Sequence, residues 1–143
     1  MDRLSNAVPV GEGLLTTPLS PAENVRINGS RCSECGEVML GSYKSCANCG
    51  GESMQQIPLG KRGKVWTYTV IRHQPPGQYR GPKDPFVPFA EGLVELPEGI
   101  RVVSALDCDL EKVHIGMEVE LVVYELYQNE QGQPVMAFKF KAV

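Results

Sequence analysis

Four cysteines carry the clearest chemistry in the chain. Cys32-Ser-Glu-Cys35-Gly36 and Cys46-Ala-Asn-Cys49-Gly50 are two CxxC knuckles with ten residues between the pairs. Four thiolates at this spacing can converge as a tetrahedron around one metal ion. The glycine after each pair lets the knuckle backbone turn tightly and aim amide N–H groups at the sulfurs. Two disulfides are the competing reading. No export signal is expected in Met1-Asp2-Arg3-Leu4-Ser5, so a reducing, cytoplasmic setting is expected and disulfides are disfavoured. Zinc is the default ion for such a structural site, and iron is the alternative, because rubredoxin-like modules hold iron in similar knuckles. Either ion would have four protein ligands and no position open for substrate.

Other reactive side chains are isolated. Cys108 stands between Asp107 and Asp109, whose charges oppose a thiolate, so it reads as a buried or half-buried thiol at a strand end. His114 follows six residues later, in a connection. No GxSxG, HExxH, Walker or dinucleotide-binding motif occurs. Glu118 and Glu120 fall on a solvent face. No catalytic centre is expected.

The elements that must position the cysteines follow from composition and period. The chain has 143 residues, 42% apolar and 22% charged, enough for one domain or one domain with a small module. No apolar run approaches the length of a membrane helix. Eleven prolines and fifteen glycines oppose a helical bundle and favour short strands with turns. Residues 1–27 read as an irregular arm, either frayed or laid on a partner, with one short helical turn opened by Ser20-Pro21-Ala22-Glu23. Residues 28–60 form the cysteine ribbon, with a hairpin expected over Glu37–Lys44. Residues 61–143 carry period-two alternation in five strands, Lys64–His73, Phe89–Leu96, Arg101–Cys108, Met117–Tyr127 and Val135–Lys141. Ala90, Gly92, Val94 and Leu96 face inward, as do Met136, Phe138 and Phe140. Five strands with a break between the third and fourth suit a small OB-fold barrel, so the fold class is mainly β, a four-cysteine ribbon followed by that barrel.

Net charge is −3, which disfavours a nucleic-acid binder, yet its distribution is uneven. Lys61, Arg62, Lys64, Arg72, Arg80 and Lys83 oppose Asp84 alone, so residues 61–85 carry +5, whereas residues 86–143 carry −6. The loop Gln74–Pro85 is longer than a hairpin needs and rich in proline, as functional loops often are. Arg80 and Lys83 could grip phosphate oxygens, with Tyr79 placed to stack on a base and His73 nearby. A solvated loop facing an acidic partner is the plain alternative. Trp66 and Tyr68 share a strand face in an unbroken period. They are expected in the core, with a stacking platform for single-stranded nucleic acid as the alternative.

These residues resemble a known family. Cys32-x-x-Cys35-Gly36, Cys46-x-x-Cys49, Gly63-Lys-Val-Trp-Thr-Tyr-Thr-Val70, Pro85-Phe-Val-Pro-Phe-Ala-Glu-Gly-Leu-Val94 and Leu110-Glu-Lys-Val-His-Ile-Gly-Met-Glu-Val119 are similar to the rubredoxin-like zinc-ribbon/OB-fold family associated with acyl-CoA metabolism. The resemblance covers about residues 28–143. It implies a non-catalytic accessory subunit that docks on a thiolase-fold catalytic subunit in a hetero-oligomer and shapes its CoA-ester site. Lys61, Arg62, Lys64, His73, Tyr79, Arg80 and Lys83 would then contact CoA or partner. Many family members carry an amphipathic helix ahead of the ribbon, and the Pro- and Gly-rich arm here departs from that pattern. A nucleic-acid-binding ribbon/OB protein and an iron electron carrier are the other classes considered.

Overall fold

The computed structural model describes residues 4–143. Strands β1 (Val8–Pro9), β2 (Asn28–Cys32), β3 (Val38–Leu40), β4 (Met54–Pro58), β5 (Arg62–Ile71), β6 (Phe89–Glu95), β7 (Arg101–Asp107), β8 (Glu118–Gln128) and β9 (Pro134–Ala142) follow in chain order, with one 3-10 turn at Ala22–Asn24. The barrel runs β9-β7-β6-β5-β8, and β8 pairs with β9 to close it into five strands. Strands β7 and β9 are parallel and the other barrel pairs antiparallel. This is the OB arrangement, and each barrel strand lies within two residues of its expected span. Among the described residues no helix is long and apolar enough to cross a membrane.

Period two explains the core. Ala90, Val94, Leu96, Val102, Leu106, Val119, Leu121 and Phe140 are buried in one cluster. Glycine permits the closest strand approaches. A Cβ on Gly63 would lie 2.6 Å from the Glu95 carbonyl oxygen, and one on Gly92 would lie 2.7 Å from that of Thr67.

Two readings need correction. Trp66 and Tyr68 are not core residues; they are 46% and 36% exposed. A bulge between Val65 and Thr67 breaks the alternation. The Arg101 guanidinium lies 4.0 Å from the Trp66 ring centroid, while Tyr68 is opposite Gly92. No hairpin forms within Glu37–Lys44 either. Instead β3 pairs back onto β2 across the first knuckle, and β4 adds a third strand on the other side of β2.

The arm, apart from residues 1–3, which lie outside the described residues, lies on its own barrel. Leu15, Leu19 and Val25 bury themselves against Met136. β1 extends the sheet beside β9, pairing Val8 with Val135. The helical turn expected after Ser20 is the 3-10 turn, with Pro21 at its N-cap. The arm through Ile27 and the ribbon through Leu59 share the barrel's main cluster, with Val38, Leu40 and Ile57 packed against it.

Gly63→Ala and Gly92→Ala should each lower the unfolding free energy by about 1–3 kcal/mol through forced overpacking. Gly11→Ala, whose Cβ would meet nothing nearer than 3.5 Å, should stay within about 0.5 kcal/mol. Urea unfolding measures all three. Losses below about 0.5 kcal/mol at Gly63 and Gly92 would mean that the strands can spread.

Candidate metal centre and its surroundings

The two knuckles fold alike. Gly36 N–H donates to the Cys32 carbonyl and Gly50 N–H to the Cys46 carbonyl, each at 2.9 Å. Both glycines have positive φ, +81° and +74°, where a side chain would be strained. Cys32 N–H reaches Glu37 O at 2.9 Å and Cys46 N–H reaches Gly51 O at 2.8 Å. The knuckle glycines therefore close the turns, and neighbouring amides reach the sulfurs. Asn48 N–H donates to Cys46 Sγ and Gly51 N–H to Cys49 Sγ, each at 3.4 Å. The Asn48 side-chain amide donates to Cys35 Sγ at 3.5 Å.

All four sulfurs lie within 4.8 Å of one another. Cys32 to Cys49 and Cys35 to Cys46 are both 3.6 Å apart, and all four cysteines are free. A disulfide would bring sulfurs to about 2.05 Å. Four sulfurs at about 2.3 Å from a zinc ion would be about 3.8 Å apart, so the quartet fits a tetrahedral ion. Its electrostatics agree. The Asn48 amide, helped by Glu37 N–H, brings the Cys35 pKa down to about 6. Gly51 N–H favours the Cys49 thiolate, yet the sulfurs of Cys32, Cys35 and Cys46 together with desolvation push that pKa up to about 12. Sulfurs this close cannot all ionise without a cation among them.

The remaining residues singled out from the sequence fall in separate places. Lys61 pairs with Glu120 at 3.1 Å, and Arg62 approaches the same carboxylate at 3.8 Å. The Lys61 hydrogen bond, chiefly, holds the Glu120 carboxyl below its ordinary range. Lys64 is exposed, across from Glu95 on β6 and Glu118 on β8. His73 and Lys83 are exposed, and neither forms an ion pair among the described residues.

Tyr79 packs with Phe86 and Phe89, at centroid distances of 5.7 and 6.0 Å, parallel to the second. Arg80 lies 3.9 Å over the Tyr127 ring. These contacts hold the Gln74–Pro85 loop against the barrel and leave a cleft of about 620 Å³ between that loop, Phe89, Ala105, Tyr124 and Leu126. The six basic side chains of this region are thus not one patch.

Cys108 is half-buried. Desolvation first, then Asp107 and Asp109, raises its pKa, and its sulfur lies 3.9 Å from Leu106 O. His114 contacts the Lys112 carbonyl through Nδ1 at 2.9 Å. The two do not form a nucleophile–base pair. Sequence reasoning missed Asn48, whose place inside the second knuckle was its only signal. It also missed Glu98, whose carboxylate takes the Gly60 N–H at 3.0 and 3.1 Å and ties the ribbon's exit to the β6–β7 turn.

Comparison with known proteins is consistent with these features. Residues 56–124 match the family described as the C-terminal OB-fold domain of ChsH2. The chain is similar to the benzoylsuccinyl-CoA thiolase subunit BbsA of Geobacter metallireducens, 30% identical over 117 residues, covering 82% of this chain and 75% of that protein. It is 33% identical over 118 residues to a DUF35 domain-containing scaffold protein of Methanocaldococcus jannaschii, covering 80% of each. A chain of the solved Ltp2-ChsH2(DUF35) aldolase superposes with a TM-score of 0.63 at 26% identity, covering 82% of this chain and 84% of that one.

Elemental analysis of the purified chain should find one metal ion per chain, and Cys46→Ser should lose it. Retention should weaken as pH falls from 8 towards 5, because protons compete for thiolates the ion requires. Full retention in Cys46→Ser would overturn the four-sulfur site.

Proposed function

The chain belongs to the family of ChsH2-type and DUF35 OB-fold proteins, and on that footing we propose that it is a non-catalytic accessory subunit of a thiolase-type acyl-CoA enzyme. The observation that carries this is the extent of the likeness. A thiolase subunit and scaffold proteins match across most of the chain. The residues fit a supporting role. Four protein sulfurs would leave a bound ion no open coordination position, and burial with the flanking Asp107 and Asp109 disfavours a Cys108 thiolate.

In this reading the chain divides into an arm of residues 1–27, a zinc ribbon of 28–60 and an OB barrel of 61–143. Cys32, Cys35, Cys46 and Cys49 hold zinc, which cross-links the ribbon when bound. Iron remains the alternative ion, and a red, reducible protein would reveal it. A thiolase-fold partner supplies the nucleophile and the acid–base groups, in the cytoplasm. The Gln74–Pro85 loop meets the CoA ester at the shared interface. Lys83 is uncommitted there, and Arg80 can leave the Tyr127 face to meet a phosphate. Benzoylsuccinyl-CoA, named by the BbsA relatives, is the first substrate to assay.

Affinity capture of the tagged chain from its host should bring down a thiolase-fold chain in stoichiometric amount. Recovery of the chain alone would overturn the accessory reading. In the assembled enzyme, Arg80→Glu with Lys83→Glu should raise the apparent KM for the CoA ester roughly tenfold, the equivalent of one charged hydrogen bond. Unchanged kinetics in an intact complex would remove the loop's phosphate role and leave the subunit role standing.

A further inference from the structure

Beyond Val65, β5 has a strand partner on one side only among the described residues. Its pairing with β8 covers Arg62, Gly63 and Lys64. The Val65 peptide is taken up by Gly116 and Met117, at 2.7 and 2.9 Å. From Thr67 to Ile71 the strand pairs with β6 alone. About half of the backbone N–H and C=O groups in such a stretch point away from the one partner. Thr67, Tyr68 and Thr69 are exposed.

Natural edge strands are blunted by charge, proline or shortness. This edge has none of these. Trp66-Thr-Tyr-Thr-Val-Ile71 contains no charge and no proline, and every residue is aromatic or β-branched. Left open, such a segment invites aggregation. An apolar row adjoins it on the outer face, where Thr67 is in register with Leu93 and Leu93 with Val103. Val103 is 59% exposed.

Charge selects the kind of strand that fits. Lys64 precedes the edge, Arg72 follows it, and β5 itself carries no acidic residue, whereas its neighbours set Glu95 and Glu118 beside Lys64 and Glu91 beside Thr69, so the open cation is Arg72. A second copy of the chain paired antiparallel there would bring no carboxylate of its own β5 to Arg72. An extended segment with an acidic residue at that end would neutralise this cation instead.

We infer that the free edge Thr67–Ile71 accepts an extended segment of the thiolase-fold partner as an added strand. That segment carries an apolar side chain continuing the Val103–Leu93–Thr67 row and an acidic residue beside Arg72. This rests on the accessory-subunit reading and names its contact.

Hydrogen exchange on the full chain, free and in its complex with the captured partner, tests the inference. Amides of Thr67–Ile71 on the open side should exchange quickly in the free chain and at least tenfold more slowly in the complex. Trp66 is the only tryptophan, so 5-fluorotryptophan at that position should report the same docking by a shifted fluorine resonance. Thr67→Asp, at an exposed position opposite Leu93, should weaken partner binding at least tenfold while the urea midpoint holds. Unchanged exchange at 67–71 in an intact complex overturns the edge and leaves the accessory reading standing. Failure to form any complex overturns both. Protection that rises with chain concentration without partner overturns the inference in favour of self-pairing. A fluorine shift produced by a single-stranded oligonucleotide, with no change on adding partner, overturns it in favour of a stacking platform.

Discussion

The ribbon is organised around four sulfurs that lie within 4.8 Å of one another and could hold one metal ion between them. Between Ser33 and Pro58 the only buried residue is Cys46, itself one of the four. The three-stranded sheet of β2, β3 and β4 therefore has no apolar interior of its own. Val38, Leu40 and Ile57 lean instead on the barrel cluster. A segment with so little to bury cannot offset its ordering entropy by packing alone, and a cross-linking ion is the usual remedy at this size. The consequence reaches beyond the ribbon. Leu59 is buried in the barrel cluster, and Gly60 N–H is held by Glu98. Cys35 to Val38 face Glu98 to Arg101 across a shared cleft. The first knuckle thus lies across from the β6–β7 turn and the start of β7, whose Arg101 guanidinium covers Trp66.

The barrel meets a second constraint at β5, which must serve two neighbours that diverge. Gly63 lets its first half approach Glu95 and reach β8. The bulge at Trp66 then bends the strand and shifts its register on β6. A bulge raises local twist, and the rest of β5 leaves the line of β8. Closure of the barrel and exposure of the Thr67–Ile71 edge therefore have one cause. The bulge also turns Trp66 outward, to a position where Arg101, held by Glu95 at 3.0 Å, can cover it.

What the sequence showed, and what it hid, follows the range of the interactions. Ala90, Gly92, Val94 and Leu96 alternate because one face of β6 is buried throughout, so that strand was legible, as were Val119 and Leu121 on β8. The cysteine quartet was legible because its ligands are local pairs at a fixed spacing. Trp66 and Tyr68 were misread because a bulge leaves no mark in hydrophobic period. Strand β2 was invisible because Asn28-Gly-Ser-Arg reads as polar loop. Only the fold shows Gly29 taking the Leu59 side chain, where a Cβ would stand 2.6 Å from Leu59 Cδ2. The arm's proline and glycine punctuation masked Leu15, Leu19 and Val25, whose partner Met136 lies more than a hundred positions away. The basic segment was visible as charge, but its pairing with Glu120 was not, since nothing local joins Lys61 to β8.

That pairing changes the meaning of the +5 segment. Glu120 engages Lys61 and Arg62, and Tyr127 engages Arg80. The segment's lysine and arginine side chains left exposed with neither an ion pair nor a ring contact among the described residues are Lys64, in register with Glu95 and Glu118 at one end of β5, and Arg72 and Lys83 at or beyond the other. The strand between Lys64 and Ile71 spans about 23 Å at about 3.3 Å per residue. One phosphate cannot bridge such a gap, whereas an extended chain can. In the proposed complex the two features then divide the work. The strand edge, uncharged from Trp66 to Ile71 and followed by Arg72, faces the protein partner. The loop beyond it, pinned by Tyr79 on Phe86 and Phe89, is left to meet the smaller anions of the CoA ester.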